Sequence, residues 1–397
     1  MSKWKTYKLG EVYDFASGLS KNRKEFGFGF DFLSFKDVFN NYFIPTILTQ
    51  LANTTEKERK RCSIKRGDVF LTRTSETHEE LGMSSVALKD YPNATFNGFT
   101  KRLRPKNISL ILPEYAGFYF RSSLFRALVT SMASVTTRAS LNNGMLNDLI
   151  IVVPPLPEQK AIASVLSSLD DKIDLLHKQN KTLEAIAETL FRQWFKNCHK
   201  WEKVELEYVS KRITDGAHKS PSSVINGLPM ASVKDMHDWG ININSCRKIS
   251  ENDYEELVKT DCRPLKDDIL IAKDGSYLKH VFVAQKDLDV VLLSSIAIIR
   301  PNNIYDPILL SIFLKLDSTR LDLENIVTGA VIPRIVLKDF CKFLIPLPPK
   351  KLQKEAIIVI KPLIKKCWEN IKQIQTLEEL RDTLLPKLMS GEIRVKY

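Results

Sequence analysis

The stretch that decides the fold runs from residue 154 to residue 195, PPLPEQKAIASVLSSLDDKIDLLHKQNKTLEAIAETLFRQWF. Beyond Pro157, apolar residues recur at Ile162, Leu166, Leu169, Ile173, Leu176, Leu183, Ala187, Leu190 and Trp194. With Asn180 filling the one polar place, the steps alternate between four and three residues without a break. That is a heptad seam, the pattern of a helix laying one narrow stripe against a partner helix. Asn180 is either buried, fixing register at some cost in stability, or meets water where the seam splays.

A second seam lies toward the other end of the chain. Beginning near Gln353, Ile357, Ile360, Ile364, Cys367, Ile371 and Ile374 keep the alternation, and Leu377, Leu380, Leu384 and Leu388 continue it less regularly. Pro362 sits inside this run, where a missing N–H and a ring clash with the preceding turn predict a kink. The pattern fades near Pro386 and stops by Gly391. Each helix is about 35 residues, roughly 50 Å at 1.5 Å per residue. That exceeds what a neighbouring module needs to cover its own core, so the two helices are expected to pack antiparallel on each other as a coiled-coil spacer.

Outward from the helices, the chain repeats itself. Trp4-Lys5-Thr6-Tyr7-Lys8-Leu9 returns as Trp201-Glu202-Lys203-Val204-Glu205-Leu206, and Ser34-Phe35-Lys36-Asp37 as Ser232-Val233-Lys234-Asp235. Ser17-Gly18 returns as Asp215-Gly216, Arg66-Gly67-Asp68-Val69 as Lys266-Asp267-Asp268-Ile269, Val135-Thr136 as Val327-Thr328, and Pro154-Pro155 with Gln159-Lys160 as Pro348-Pro349 with Gln353-Lys354. The offsets drift only between 192 and 200. That period is far longer than the roughly 20–50 residues of a solenoid repeat, so the chain is a duplicated module followed each time by a helix.

Strand-like runs such as Asp68–Thr72, Ser85–Leu88, Ile269–Ala272 and Val290–Leu293 open each half, punctuated by Asn97-Gly98 and Asp274-Gly275, and helical stretches follow near 114–132 and 306–321. The expected class is α+β, two mixed modules with mostly antiparallel sheets, related by a pseudo-twofold axis and separated by the helix pair. The expected divisions are 1–153, 154–197, 198–345 and 346–397.

The net charge is +12, which favours a polyanionic partner through counterion release. It is unevenly spread: +8 over residues 1–150, +1 over 151–200, −2 over 201–345 and +5 over 346–397. No apolar run reaches the roughly 18 residues of a membrane span, and the N-terminus lacks the apolar stretch of a signal peptide. The cysteines (Cys62, Cys198, Cys246, Cys262, Cys341, Cys367) form no C-x-x-C pair and read as reduced structural thiols of a cytoplasmic protein.

Catalytic patterns are weak. Phe26-Gly27-Phe28-Gly29 looks like a cofactor loop but lacks a surrounding βαβ pattern, and reads as a glycine-rich turn. Asp37 with Glu58-Arg59-Lys60 imitates a metal-nuclease triad, yet Glu56–Arg61 reads as a charge run in a turn with no counterpart in the second half. There is no Walker A loop, no H-x-x-x-H pair and no metal pattern.

Several stretches resemble the specificity subunits of Type I restriction–modification systems. Trp4…Leu9-Gly10-Glu11-Val12 and Trp201…Leu206 resemble the openings of that family's two target-recognition domains, and Asp215-Gly216-Ala217-His218-Lys219-Ser220-Pro221 is a familiar start to the second. Pro154–Ala163 and Leu190–Phe195 resemble the two ends of its central conserved helix, and Ile345–Pro349 with Leu384–Val395 its distal repeat. Pro362 departs from the family's uninterrupted helix. The resemblance implies a noncatalytic DNA reader, cytoplasmic and free of membranes, each domain reading one half of a bipartite, asymmetric site on double-stranded DNA. It implies two modification subunits that methylate adenine with S-adenosylmethionine, and restriction subunits that use ATP and Mg to translocate and cleave in phage defence. No cofactor is expected in this chain. A separator of roughly 50 Å would centre the half-sites on the order of 10–15 base pairs apart. The competing readings are a stand-alone nuclease or modifying enzyme, and a reader for a fused nuclease–methyltransferase system.

Two loops occupy matching places in the halves. One is Arg73-Thr74-Ser75-Glu76-Thr77, matched by Lys273-Asp274-Gly275-Ser276, either an ordinary polar hairpin or a base-reading loop in which Arg and Lys can pair with guanine and hydroxyls can reach either kind of base. The other is Lys21-Asn22-Arg23-Lys24, matched by Lys219-Ser220, a phosphate clamp or a solvated charge run. Lys36 and Lys234 recur beside Asp37 and Asp235 and fit either a backbone contact or a local ion pair. Lys101, Arg102 and Arg138 are further basic candidates in the first module, and Arg334 in the second.

Overall fold

The computed structural model describes residues 4–75, 80–132, 134–135, 139–275, 279–323, 326–328 and 333–396. The chain forms two compact units, residues 1–174 with 375–397, and residues 175–374. Each unit holds one module and part of both long helices, so each module and its helix segments form one body.

The first unit is built on a four-stranded antiparallel sheet, in the order Tyr13–Ser17, Thr100–Pro105, Val69–Thr72, Ser84–Val86. The second repeats it as Ser210–Asp215, Ile296–Pro301, Ile269–Ala272, Val281–Val283. The register matches as well, with Leu71 opposite Lys101 and Ile271 opposite Ala297. The innermost strands are buried on both faces, as their unbroken apolar runs require. Val69 and Leu71 face one core while Phe70 faces another, and Ile269 and Ile271 are divided from Leu270 in the same way.

A smaller sheet flanks each large one. Phe26–Leu33 pairs antiparallel with Gln50–Ala52 and parallel with Thr95–Phe96. Leu228–Ala231 pairs likewise with Arg247–Ile249 and Val291–Leu292. The Phe26-Gly27-Phe28-Gly29 run is therefore part of a strand, not a turn. Its register slips between Phe26 and Phe30, and Gly27 and Gly29 adopt φ of +95° and +97°, so the chain bulges outward. Glu56–Arg61 is likewise a short helix, capped by Thr55 and Glu58, and the helix Glu251–Lys259, capped by Ser250, is its counterpart in the second unit. Helices Pro113–Tyr119 and Ser123–Met132, matched by Pro307–Lys315 and Asp317–Leu323, cover the large sheets.

The central helix spans Leu156–Trp194 and the distal helix Lys350–Ser390, 39 and 41 residues. In the first unit Ile162 and Leu166 share a core with Leu385, Leu388 and Met389, and Asp170 accepts from Arg381 Nη1 at 3.0 Å. In the second unit Ala187 and Phe191 share a core with Ala356, Ile360 and Ile364. In both, residue numbers rise along one helix as they fall along the other, so the helices run antiparallel. Ile173, Leu176, Cys367 and Ile374 are buried, and Leu169, Leu183, Leu190, Trp194, Ile357 and Ile371 are half-buried. Leu380 does not continue the distal seam: it is exposed, and Arg381 turns inward to Asp170 instead.

Asn180 is buried. Its Nδ2 donates to the Cys367 carbonyl at 3.2 Å, and its Oδ1 accepts from Asn370 Nδ2 at 2.8 Å. The polar seam position is therefore buried and paired. The distal helix continues through Pro362 without interruption. Pro362 removes the donor for the Ile358 carbonyl, but Ile358 is 72% exposed, so water can replace it. The helix ends at Ser390, followed by Gly391 at φ +77°.

Candidate nucleic-acid interface

Each large sheet ends in a loop built the same way. In the first unit the Arg73 N–H donates to the Phe99 carbonyl at 3.0 Å and the Leu141 N–H to the Arg73 carbonyl at 2.9 Å. In the second, the Lys273 N–H donates to Ser295 at 2.9 Å and the Ile335 N–H to Lys273 at 3.1 Å. Arg73 and Lys273 thus leave their sheets from equivalent backbone positions, as the sequence match predicts.

At the opposite end of each central strand lies the same buried support. Asp68 is fully buried, accepts from Arg104 Nε at 2.8 Å and from the Lys65 N–H at 2.8 Å. Asp268 accepts from Arg300 Nε at 3.0 Å and from the Leu265 N–H at 2.8 Å. Arg300 has a second carboxylate, with Nη1 2.7 Å from Asp261 Oδ1, and Asp268 first and Asp261 next hold its pKa well above the ordinary value. At the start of each long helix, Gln159 and Gln353 do identical work. Each accepts one backbone N–H (Leu112, Asp306) and donates to two carbonyls, Leu110 and Pro154 or Ile304 and Pro348.

The loop side chains differ. In the first unit a buried Lys101 Nζ donates to Ser17 Oγ at 2.9 Å and Asn143 Oδ1 at 2.7 Å, both uncharged. Burial, and then the charge of Arg73, lowers its pKa. In the second, Asp215 takes the place of Ser17 and Ala297 that of Lys101. There the buried Lys273 pairs with Asp215, which also meets His218 Nε2 at 3.1 Å. Arg334 lies across from Asp274 and engages it twice, Nε to Oδ1 and Nη2 to Oδ2, each at 3.0 Å. The positions facing each other in the first unit are Thr74 and Ser140.

The remaining candidates divide by exposure. Asn22, Arg23, Lys24, Lys36, Lys219, Ser220 and Lys234 are exposed, and Arg73 and Thr74 are half-buried. Lys21 is held between Glu58 at 2.9 Å and Glu25 at 3.3 Å rather than facing solvent as a clamp. The backbone and side-chain hydrogen bonds from Thr55, with that from Lys21, bring Glu58 down to about 2. Arg102 is buried and donates to the Arg61 and Ser63 carbonyls, a structural task. Asp37 and Asp235 close capping boxes with Ser34 and Ser232. Ser220 accepts from Arg247 Nη2 at 2.7 Å. Arg138, Ser276 and the side chain of Ser75 lie outside the described residues.

Sequence reasoning missed Ser17, Asn143, Asp215 and Asp274, the partners that decide what each basic group can do. Ser17 and Asp215 carried a signal as matched positions of the repeat, and Asp274 as part of the Asp274-Gly275 turn, whereas Asn143 carried none. It also missed exposed apolar tips, Phe28 at 51%, Phe99 at 59% and Ile225 at 92%.

The architecture is that of a duplicated recognition module on paired helices, and comparison with known proteins places it in a family. The model of the Type I restriction modification DNA specificity domain matches residues 1–185 and again 199–379. The chain belongs to this family of Type I restriction–modification specificity subunits, whose domain recognises DNA and is not catalytic. The MjaIX specificity subunit of Methanocaldococcus jannaschii is 27% identical, over 98% of this chain and 92% of its own length. The EcoKI specificity subunit of Escherichia coli (strain K12) is 24% identical, over 90% and 81%. The crystal structure of the S subunit of a Type I system from M. genitalium shares the fold, with a TM-score of 0.57 at 16% identity, covering 97% of this chain and 96% of that one. No helix among the described residues is long and apolar enough to cross a membrane.

Proposed function

We propose that this chain reads a two-part, asymmetric DNA site, one half with each module. Its paired helices set the interval between the halves and dock two modification subunits and the restriction subunits. The observation that carries this reading is that one chain builds the same sheet and the same loop exit twice, then arms them with different side chains. Like scaffolds with unlike loops suit unlike half-sites, because base edges are told apart by donor and acceptor pattern. The charge division, +8 over residues 1–150 against −2 over 201–345, supports a first module that grips phosphates harder than the second. S-adenosylmethionine, ATP and Mg then belong to the partner subunits, and the assembly works in the cytoplasm.

The test is expression with and without a modification subunit, followed by long-read methylome sequencing. The expected result is no modification by the chain alone. With its partner, a motif of two unlike halves should appear, centred on the order of 10–15 base pairs apart. Cleavage or methylation by the isolated chain, or an undivided motif, rejects the reading.

A further inference from the structure

Arg334 is exposed along 58% of its side chain, whereas its partner Asp274 is 14% exposed. The pair meets side-on: Asp274 occupies the Nε–H and one hydrogen of Nη2. A guanidinium carries five N–H donors in a fixed plane. Of the three left without a partner among the described residues, one on Nη1 and one on Nη2 point parallel off the end edge, and the other on Nη1 points back toward Cδ. A parallel pair of that kind matches O6 and N7 of guanine in the major groove.

Three features fix the direction of the fork. Asp274 and Arg334 face each other across a β-bridge. The Gly275 N–H donates to the Pro333 carbonyl at 2.8 Å, and the Ile335 N–H donates to Lys273. Lys273 is itself anchored to Asp215 inside the module. The plane of Arg334 is thus oriented before any ligand arrives, which reduces the ordering cost of binding. The carboxylate also argues about the kind of ligand. An arginine neutralised by an aspartate 3.0 Å away attracts a phosphate weakly, but it keeps its donor geometry for a neutral base edge.

We infer that Arg334, positioned by Asp274, reads a guanine in the half-site of the second module. This rests on the DNA-reading function proposed above. The first module carries Thr74 and Ser140 at the facing positions and has no fork there, so the contact belongs to one half of the site only.

The test uses the full chain assembled with its modification subunit, and wild type, R334Q, R334K and D274N. Motifs are read by methylome sequencing, and binding by competition among duplexes altered one base pair at a time. In R334Q, preference for guanine at one position should fall by roughly 5- to 150-fold, and in R334K by less because a lysine still reaches guanine without the fork, while every other position and the other half-site hold. D274N should weaken the preference at that same position by less, as a positioning residue would. A uniform loss across all sequences, with a salt dependence shallower by about one, marks a phosphate contact and overturns the inference. An unchanged motif overturns it too, because Arg334 would then be only an ion-pair partner. If R334Q fails to fold, R334K and D274N decide together: a guanine preference weakened at one position in either supports the contact, and an unchanged motif in both overturns it. A wild-type assembly that modifies no defined motif rejects DNA reading itself, a result distinguishable from loss at one position.

Discussion

The two modules agree at the carboxylates and amides that hold their backbones and differ at the loop ends of their sheets. Asp68 with Arg104 and Asp268 with Arg300 are the same ion pair built twice, and Gln159 and Gln353 the same triple hydrogen bond. A few residues away, Ser17, Lys101 and Thr74 on one side face Asp215, Ala297 and Asp274 on the other. Burial explains the agreement. An interior carboxylate or amide stripped of its partners costs kilocalories, so the scaffold tolerates little change after duplication. At the loop ends even buried groups differ, because each has its own partners, Ser17 and Asn143 for Lys101 and Asp215 for Lys273, so neither lysine is left stranded.

The sharpest test of this parallel is removal of the buried carboxylate. Asp68→Ala should destabilise its unit by about 3–5 kcal/mol, leaving Arg104 with Ser63 alone. Asp268→Ala should cost about 1 kcal/mol less, since Arg300 retains Asp261. Urea unfolding followed by hydrogen exchange, resolved to each unit, measures both. Equal losses would mean that Asp261 adds nothing. Next in size, Gln159→Ala and Gln353→Ala should each cost about 2–3 kcal/mol through an orphaned N–H and two orphaned carbonyls. The two values should agree closely, and a large gap between them would break the equivalence of the helix junctions.

The smallest effect tests the difference instead. Lys273→Met strands Asp215 with only His218 and should cost about 1–2 kcal/mol. Lys101→Met removes an ammonium with no carboxylate partner among the described residues and should be near neutral at pH 7. The pH dependence follows from the lowered pKa of Lys101. The folded state releases this proton before the unfolded state does. Between the lowered value and the ordinary 10.5 the unfolded state therefore binds more protons, and stability rises with pH. That rise should vanish in Lys101→Met, as read from denaturant midpoints across an alkaline series.

How much of this was legible beforehand follows from the same division. The helix seam, the duplication and the inner strands were readable because burial imposes a period on the sequence: Ile162 to Trp194 and Val69–Thr72 announce themselves. Leu380 misled because apolar character alone does not say which face a residue takes, and Arg381 found its partner in Asp170, 211 positions away. The charge run at Glu56–Arg61 read as a turn because a helix of six residues is too short to show a period; its cap, Thr55 with Glu58, was the usable signal. The loop residues were the least legible. Lys21, Lys101 and Lys273 are all lysines in a basic chain, yet one is held by two carboxylates, one by neutral groups and one by a buried aspartate. Those partners come from distant strands and leave no local trace.

Near the end of the chain, Arg394 Nε lies 2.6 Å from the buried carboxylate of Glu158, whose other oxygen accepts from the Trp4 indole at 3.0 Å. Leu385, Leu388 and Met389 fill the core alongside. The first unit therefore joins residues 1–174 to residues 375–397 across the residues of the second, which is one continuous stretch, 175–374. On a ribosome adding about 5–20 residues per second, the earlier unit must wait on the order of tens of seconds for its closing piece. Through that interval a half-built core stays open to proteases and chaperones, and the unit that begins second can finish first.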